Sequence, residues 1–156
     1  MFTKRFLLTG FLTSLINLTL NALAYAFVLR NVYRMYPGLS GEFTEQLSRK
    51  PGELVIWAMV LTTLGMGYFI TLIMRWSLAR TFGTGLQYGS AVGILFWSSV
   101  NFGLYASSHM FSLTGVLTDL CFSSLAMSLS AAFAAWMLGK GEYEQVNSSN
   151  FEKNHL

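Results

Sequence analysis

The chain has 156 residues, enough for one domain or one small bundle of helices. Apolar residues make up 53% and charged residues 11%, against about 25% charge in soluble domains. That balance excludes a disordered chain, a coiled coil and an ordinary water-soluble enzyme. The net charge of +3 is small and scattered, which gives nucleic acid no footing. The single cysteine, Cys121, excludes an internal disulfide and a multi-thiolate metal site, and it reads as a small packing residue.

Four charge-poor stretches stand out, at residues 6–29, 54–74, 86–105 and 113–138. Together they hold 91 of the 156 residues but one formal charge, Asp119. Each is long enough to cross a bilayer as a helix, which takes about 20 apolar residues. The expected fold is all-α: a membrane bundle of four transmembrane helices within residues 1–140, followed by a polar, mobile tail over 141–156. The N-terminus mimics a signal peptide, with Lys4 and Arg5 before an apolar run and Ala22-Leu23-Ala24 resembling a cleavage site. The run is longer than the roughly 7–15 residues of a signal core, so it reads as a retained span.

In the first stretch, Gly10, Thr13, Ser14, Asn17, Asn21 and Ala24 fall on one helical face. Leu8, Leu12, Leu15, Ile16, Leu23 and Phe27 cover the other. The polar face should turn into the bundle. Pro37-Gly38 then makes a turn. Ser40 can cap a short helix ending at Arg49, with Leu39, Phe43 and Leu47 on one side. This fits an amphipathic helix on the membrane surface, and a solvated loop fits nearly as well. Lys50-Pro51-Gly52 leads into the second span.

Residues 81–118 lack formal charge altogether. That run of 38 is too long for one crossing, so a tight turn at Ser107-Ser108-His109 should split it into a hairpin of helices three and four. Helix three carries Gly85, Gly89 and Gly93 at spacing four, and helix four carries Ser124, Ser128 and Ala132. Small residues let membrane helices approach closely. The two faces should pack on each other, or else present a groove to a second copy or another membrane protein.

Lysine and arginine favour the cytoplasmic side. Placing both termini there puts Lys4, Arg5, Arg75, Arg80, Lys140 and Lys153 inside, and Arg30, Arg34, Arg49 and Lys50 outside. Tyr33, Tyr36 and Trp57 then mark the outer interface, and Trp76 and Trp136 the inner one.

An acid within a span is costly, by about 2.5–3.5 kcal/mol on insertion scales, and is by default a functional candidate. Counted from the ends of their stretches, Asp119, Asn101 and Asn21 fall in one layer of the outer half. Tyr105, Ser98 and Asn17 lie just above or below it, and His109 sits in the turn as a headgroup-level residue. Two readings fit: a small polar pocket built on Asp119, or a hydrogen-bonded knot that holds three helices in register.

These residues also carry a resemblance. The chain resembles, at low identity over nearly all its hydrophobic length, a bacterial family of four-helix membrane proteins of unknown function. That family has an aspartate late in helix one, Tyr-Asp followed by Asn near the end of helix three, and Val-Asp-x-x-Trp-Gly in helix four. The matching stretches here are Asn21-Ala22-Leu23, Val100-Asn101-Phe102-Gly103-Leu104 and Thr118-Asp119-Leu120-Cys121-Phe122-Ser123, and Lys50-Pro51 matches its Lys-Pro. Asn21 and Asn101 stand where the family has acids, so a site needing three carboxylates is reduced to one. The resemblance implies a fold and a bacterial inner membrane, and no activity.

Signatures of hydrolases, zinc proteases and phosphate loops are missing, and no metal or cofactor is expected. The leading expectation is a non-enzymatic membrane protein that binds or passes a small molecule at Asp119. Its rival is a scaffold that packs against another membrane protein through the small-residue faces.

Overall fold

The computed structural model describes residues 3–36 and 51–153, and from residue 141 onward it describes the backbone path alone. The proposed surface helix at 40–49 lies outside the described residues. The protein is all-α. Helix α1 (Lys4–Ala24) passes through a π-helical segment (Tyr25–Leu29) into α2 (Arg30–Met35). A 3-10 turn (Pro51–Glu53) precedes α3 (Ile56–Trp76). Then come α4 (Phe82–Ser107) and α5 (Leu113–Lys153).

Local sequence sets these boundaries. Thr3 Oγ1 accepts from the Phe6 amide at 3.3 Å and caps α1. Thr81 and Thr84 form a reciprocal capping box at the start of α4, each amide bonded to the other hydroxyl at 3.2 Å. The expected span at 86–105 therefore begins four residues earlier. Ser112 Oγ accepts from the Gly115 amide at 3.2 Å and starts α5. The α4–α5 turn falls at Ser108, as the sequence indicates, and the α5 backbone stays helical beyond the apolar stretch to Lys153.

The α3–α4 turn is less expected. The Ala79 amide donates to the Met74 carbonyl at 3.2 Å, closing the last turn of α3 in a Schellman arrangement. Leu78 holds the left-handed position with φ 56. That position favours glycine, because an L side chain there costs about 1–2 kcal/mol. Leu78 is 74% exposed, so its side chain contributes little packing. Leu78→Gly is expected to stabilise the protein by about 1 kcal/mol, read as a higher thermal midpoint in detergent.

Burial is inverted relative to a water-soluble protein. Thr9, Thr13, Ser14, Asn17, Thr71, Asn101, Ser123, Ser124, Ser128 and Ser130 are buried. Leu8, Leu15, Phe27, Leu61, Leu95 and Leu125 are exposed, Phe27 and Leu95 at 73% each. In water this arrangement would forfeit the hydrophobic effect at each outward leucine. In lipid it is the stable one, since hydrocarbon gives no reason to bury leucine and leaves buried polar groups to seek one another. Among the described residues, three helices are long and apolar enough to cross a membrane: Lys4–Met35, Ile56–Trp76 and Leu113–Lys140. This is a multi-pass helical membrane protein. Helix α4 has 26 residues, but Gln87, Ser90, Ser98, Ser99, Asn101 and its glycines dilute its apolarity.

Helix α5 is central and touches each of the other long helices. The α4–α5 contact runs antiparallel over small residues. A Cβ at Gly85 would come within 2.6 Å of Ala135 Cβ, and one at Gly93 within 3.1 Å of the Ser124 carbonyl oxygen. Gly89 lies against Ala131 and Ser128. The α1–α3 contact is as close: Gly67 abuts the Ser14 backbone, and Gly10 abuts the Tyr68 ring. The apolar core, including Ile70, Met74, Met127 and Ala131, sits between α3, α4 and α5. Cys121 is exposed, which corrects its reading as a packing residue. It shares the outer side of α5 with the exposed Leu117 and Leu125, four residues before and after it.

Candidate functional site

Asp119 is half-buried in the second turn of α5. Ser123 Oγ, one turn on, donates to its Oδ1 at 3.4 Å. Tyr33 of α2 directs its hydroxyl at the same carboxylate. The Tyr33 ring packs on Phe111, with centroids 5.8 Å apart, and its Cε1 lies 3.1 Å from where a Cβ on Gly115 would stand. Glycine at 115 is what lets the ring lie flat on α5. Ser112 Oγ donates to the Tyr36 carbonyl at 2.7 Å and ties the end of α2 to the start of α5. Asp119 thus sits at the junction of α2, the α4–α5 turn and α5, between a phenol and a serine hydroxyl. Both neighbours are hydrogen-bond donors.

The π-helical segment explains why Tyr33 reaches this place. Asn17 marks the α5-facing side of α1, since its Oδ1 accepts from Ser130 Oγ at 3.4 Å. At about 100° per residue, Tyr33 would lie about 160° round from Asn17, facing lipid. A π turn carries one extra residue. That takes back roughly 100° and leaves Tyr33 about 60° from Asn17, on the α5 side. It also buries Leu29, which is 6% exposed.

The other residues marked in the sequence are distributed as follows. Asn21 Nδ2 donates to the Asn17 carbonyl at 2.8 Å and to Asn17 Oδ1 at 3.3 Å. The Asn17–Asn21–Ser130 group joins α1 to α5 at mid-depth, because Ser130 lies eleven residues from Asp119, or about 16 Å along the helix. Asn21 therefore sits deeper than Asp119. Counting depth from Leu29 misplaces it, since the helical rod runs on through Met35, six residues or about 9 Å further. Asn101 is 7% exposed and continues the spacing-four stripe of Gly85, Gly89 and Gly93. Among the described residues its Nδ2 has no hydrogen-bond partner, and neither has Trp97 Nε1 on the same stripe or Ser124 Oγ opposite it. Ser98 is half-buried, while Tyr105 and His109 are exposed.

Tyr33 and Ser112 were not singled out as site residues by sequence reasoning, whereas Ser123 follows Asp119 by four, on the same helical face. Arg30 closes the apolar stretch, so Tyr33 reads as an interface aromatic beyond it. The available signal was Arg30 and Arg34 at spacing four, which continues a helix with its charges on one side. No group of three or more histidine, cysteine or acidic side chains with metal-binding geometry occurs among the described residues. No family model, curated protein or solved structure matches the chain.

Proposed function

We propose that this protein binds a small molecule at the outer end of the bundle, with Asp119 as the hydrogen-bond acceptor and Tyr33 and Ser123 as its partners. One observation carries this reading: an acid within an apolar span is half-buried beside two hydroxyls and meets no cation among the described residues. A carboxylate so placed suits a ligand bearing an amine or several hydroxyls. Asn101 and Trp97 supply further donors on the α4 side, and Ser98 and Tyr105 flank them. The Asn17–Asn21–Ser130 group holds helix register. In this reading α4 crosses the membrane with α5, both termini are cytoplasmic, the membrane is a bacterial inner membrane, and no catalysis is involved. The scaffold alternative is less well supported, because Gly85, Gly89 and Gly93 already face α5 of the same chain.

Asp119→Asn keeps the shape of the side chain and one acceptor oxygen, and removes its charge. The variant is expected to fold with a thermal midpoint near wild type. A screen of amines and polyols should give thermal shifts with wild type that vanish with Asp119→Asn. Hits that persist unchanged in the variant would remove the site.

A further inference from the structure

One face of α4 departs from the inverted burial of the rest of the bundle. At 100° per residue, Ala91, Ile94, Ser98 and Tyr105 all fall within about 40° of Gln87. Gly89, which faces α5, is about 160° round from it. Gln87, Ala91, Ile94 and Tyr105 are exposed, and Ser98 is half-buried. Gly85 and Gly89, two residues either side of Gln87, both lie against Ala131. Gln87 is therefore level with Ala131, which is nine residues from Lys140, or about 13 Å along the helix. At that depth its side chain is too short to reach headgroups or water. Among the described residues no hydrogen-bond partner meets its amide. An amide facing hydrocarbon loses its hydrogen bonds to water and gains none in return. Among the described residues α4 packs broadly on α5 alone, and it is not one of the helices apolar enough to cross a membrane by composition.

We infer that this stripe is the contact between two copies of the chain, packed α4 against α4 about a two-fold axis along the membrane normal, with the two Gln87 amides hydrogen-bonded to each other. Copies in one membrane share one orientation. A two-fold axis along the normal therefore sets each residue of the stripe opposite itself at equal depth. A glutamine amide carries both donor and acceptor, so it complements its own copy. Ala91, one turn on, is small enough to let the two helices approach. Acyl chains offer Gln87 nothing at this depth, and a different protein would have to bring its own polar group to the same level. The pair requires, like the proposed function, that α4 cross the membrane beside α5.

The test uses the full chain in a Cys121→Ser background, with oxidative cross-linking in native membranes. Ala91→Cys and Ile94→Cys are expected to give a disulfide-linked product of two copies. Tyr88→Cys and Ser99→Cys, roughly 100–120° round on the same helix, should not. Gln87→Leu is expected to fold with a thermal midpoint near wild type, because leucine suits a lipid-facing position. It should weaken association of fluorescently labelled copies in vesicles about tenfold, for the loss of two interhelical hydrogen bonds. Gln87→Asn, which keeps an amide, should associate more tightly than Gln87→Leu. Labelling of Ala91→Cys by a membrane-impermeant maleimide would overturn the crossing of α4, and the pair with it. If Ala91→Cys were shielded from that reagent yet gave no cross-link between copies, the pair alone would be overturned. Equal cross-linking through Tyr88→Cys and Ser99→Cys would overturn it as well, and so would undiminished association of Gln87→Leu. A cross-linked product whose mass is not that of two copies would put another protein on the stripe and overturn the second copy.

Discussion

Gly89→Leu is expected to unfold the monomer, lowering the thermal midpoint in detergent by about 10 °C or more. Even an alanine at 89 would drive its methyl into Ala131, and would stand 3.1 Å from Ser128 Cα. Leucine adds three more carbons against the α5 backbone, and neither helix can give way without parting from the other. Overpacking of this kind costs about 1–3 kcal/mol where side chains adjust, and more where backbones must separate. At roughly 2–4 °C per kcal/mol for a chain of this size, that is a large shift. Gly103→Leu on the same helix is the control, because nothing lies within 4 Å of a Cβ there. It should leave the midpoint unchanged or raise it slightly. If Gly89→Leu kept the monomer folded and cost it a membrane partner instead, the glycine stripe would serve assembly and not the α4–α5 contact.

Deleting Ala26 is expected to abolish the Tyr33–Asp119 contact while leaving α1 up to Ala24 in place. The deletion takes the extra residue out of the π segment and lets the rod run as a plain α-helix. Every residue after it then turns by roughly 100°. Tyr33 swings toward lipid and Leu29, now buried, turns out with it. A photoreactive benzophenone amino acid at position 33 reads this directly. In the full-length chain it should cross-link to Phe111 or Gly115, the neighbours of the Tyr33 ring. With Ala26 deleted, that cross-link should fall to background. If it survived, the π segment would have no part in placing Tyr33.

Much of the fold was legible because membrane burial obeys simple rules. The polar face of α1 is readable from Thr13, Ser14 and Asn17 at helical spacing, and those residues are buried. The glycine stripe of α4 is readable in the same way, since only small residues permit such close backbone approach. The turn at Ser107-Ser108 follows from the length of a charge-free run that no single crossing can hold. The site was less legible, and the reason is geometric. Helical spacing assumes one constant angle per residue, and the π segment breaks that assumption at Tyr25–Leu29. Nothing in Tyr-Ala-Phe-Val-Leu announces an extra residue in the turn. The error carries into every position after it, so Tyr33 reads as an interface aromatic and not as a neighbour of Asp119. Asn21 precedes the segment and reads as level with Asp119 for a different reason, because its depth is counted from Leu29 while the rod runs on to Met35. Leu78 was hidden for a related reason: its left-handed backbone is imposed by the α3–α4 connection and not by its own preference.

The account rests on apolar helices standing across a bilayer, with α4 carried in by its contact with α5. Single cysteines along α4 in a Cys121→Ser background test this most directly, using a membrane-impermeant maleimide on sealed vesicles of each orientation. Gly83→Cys and Ser107→Cys should react from opposite sides, while Leu95→Cys, 73% exposed on the surface of the bundle, should react from neither. Labelling of Leu95→Cys from the aqueous phase, or of both ends from one side, would contradict the account.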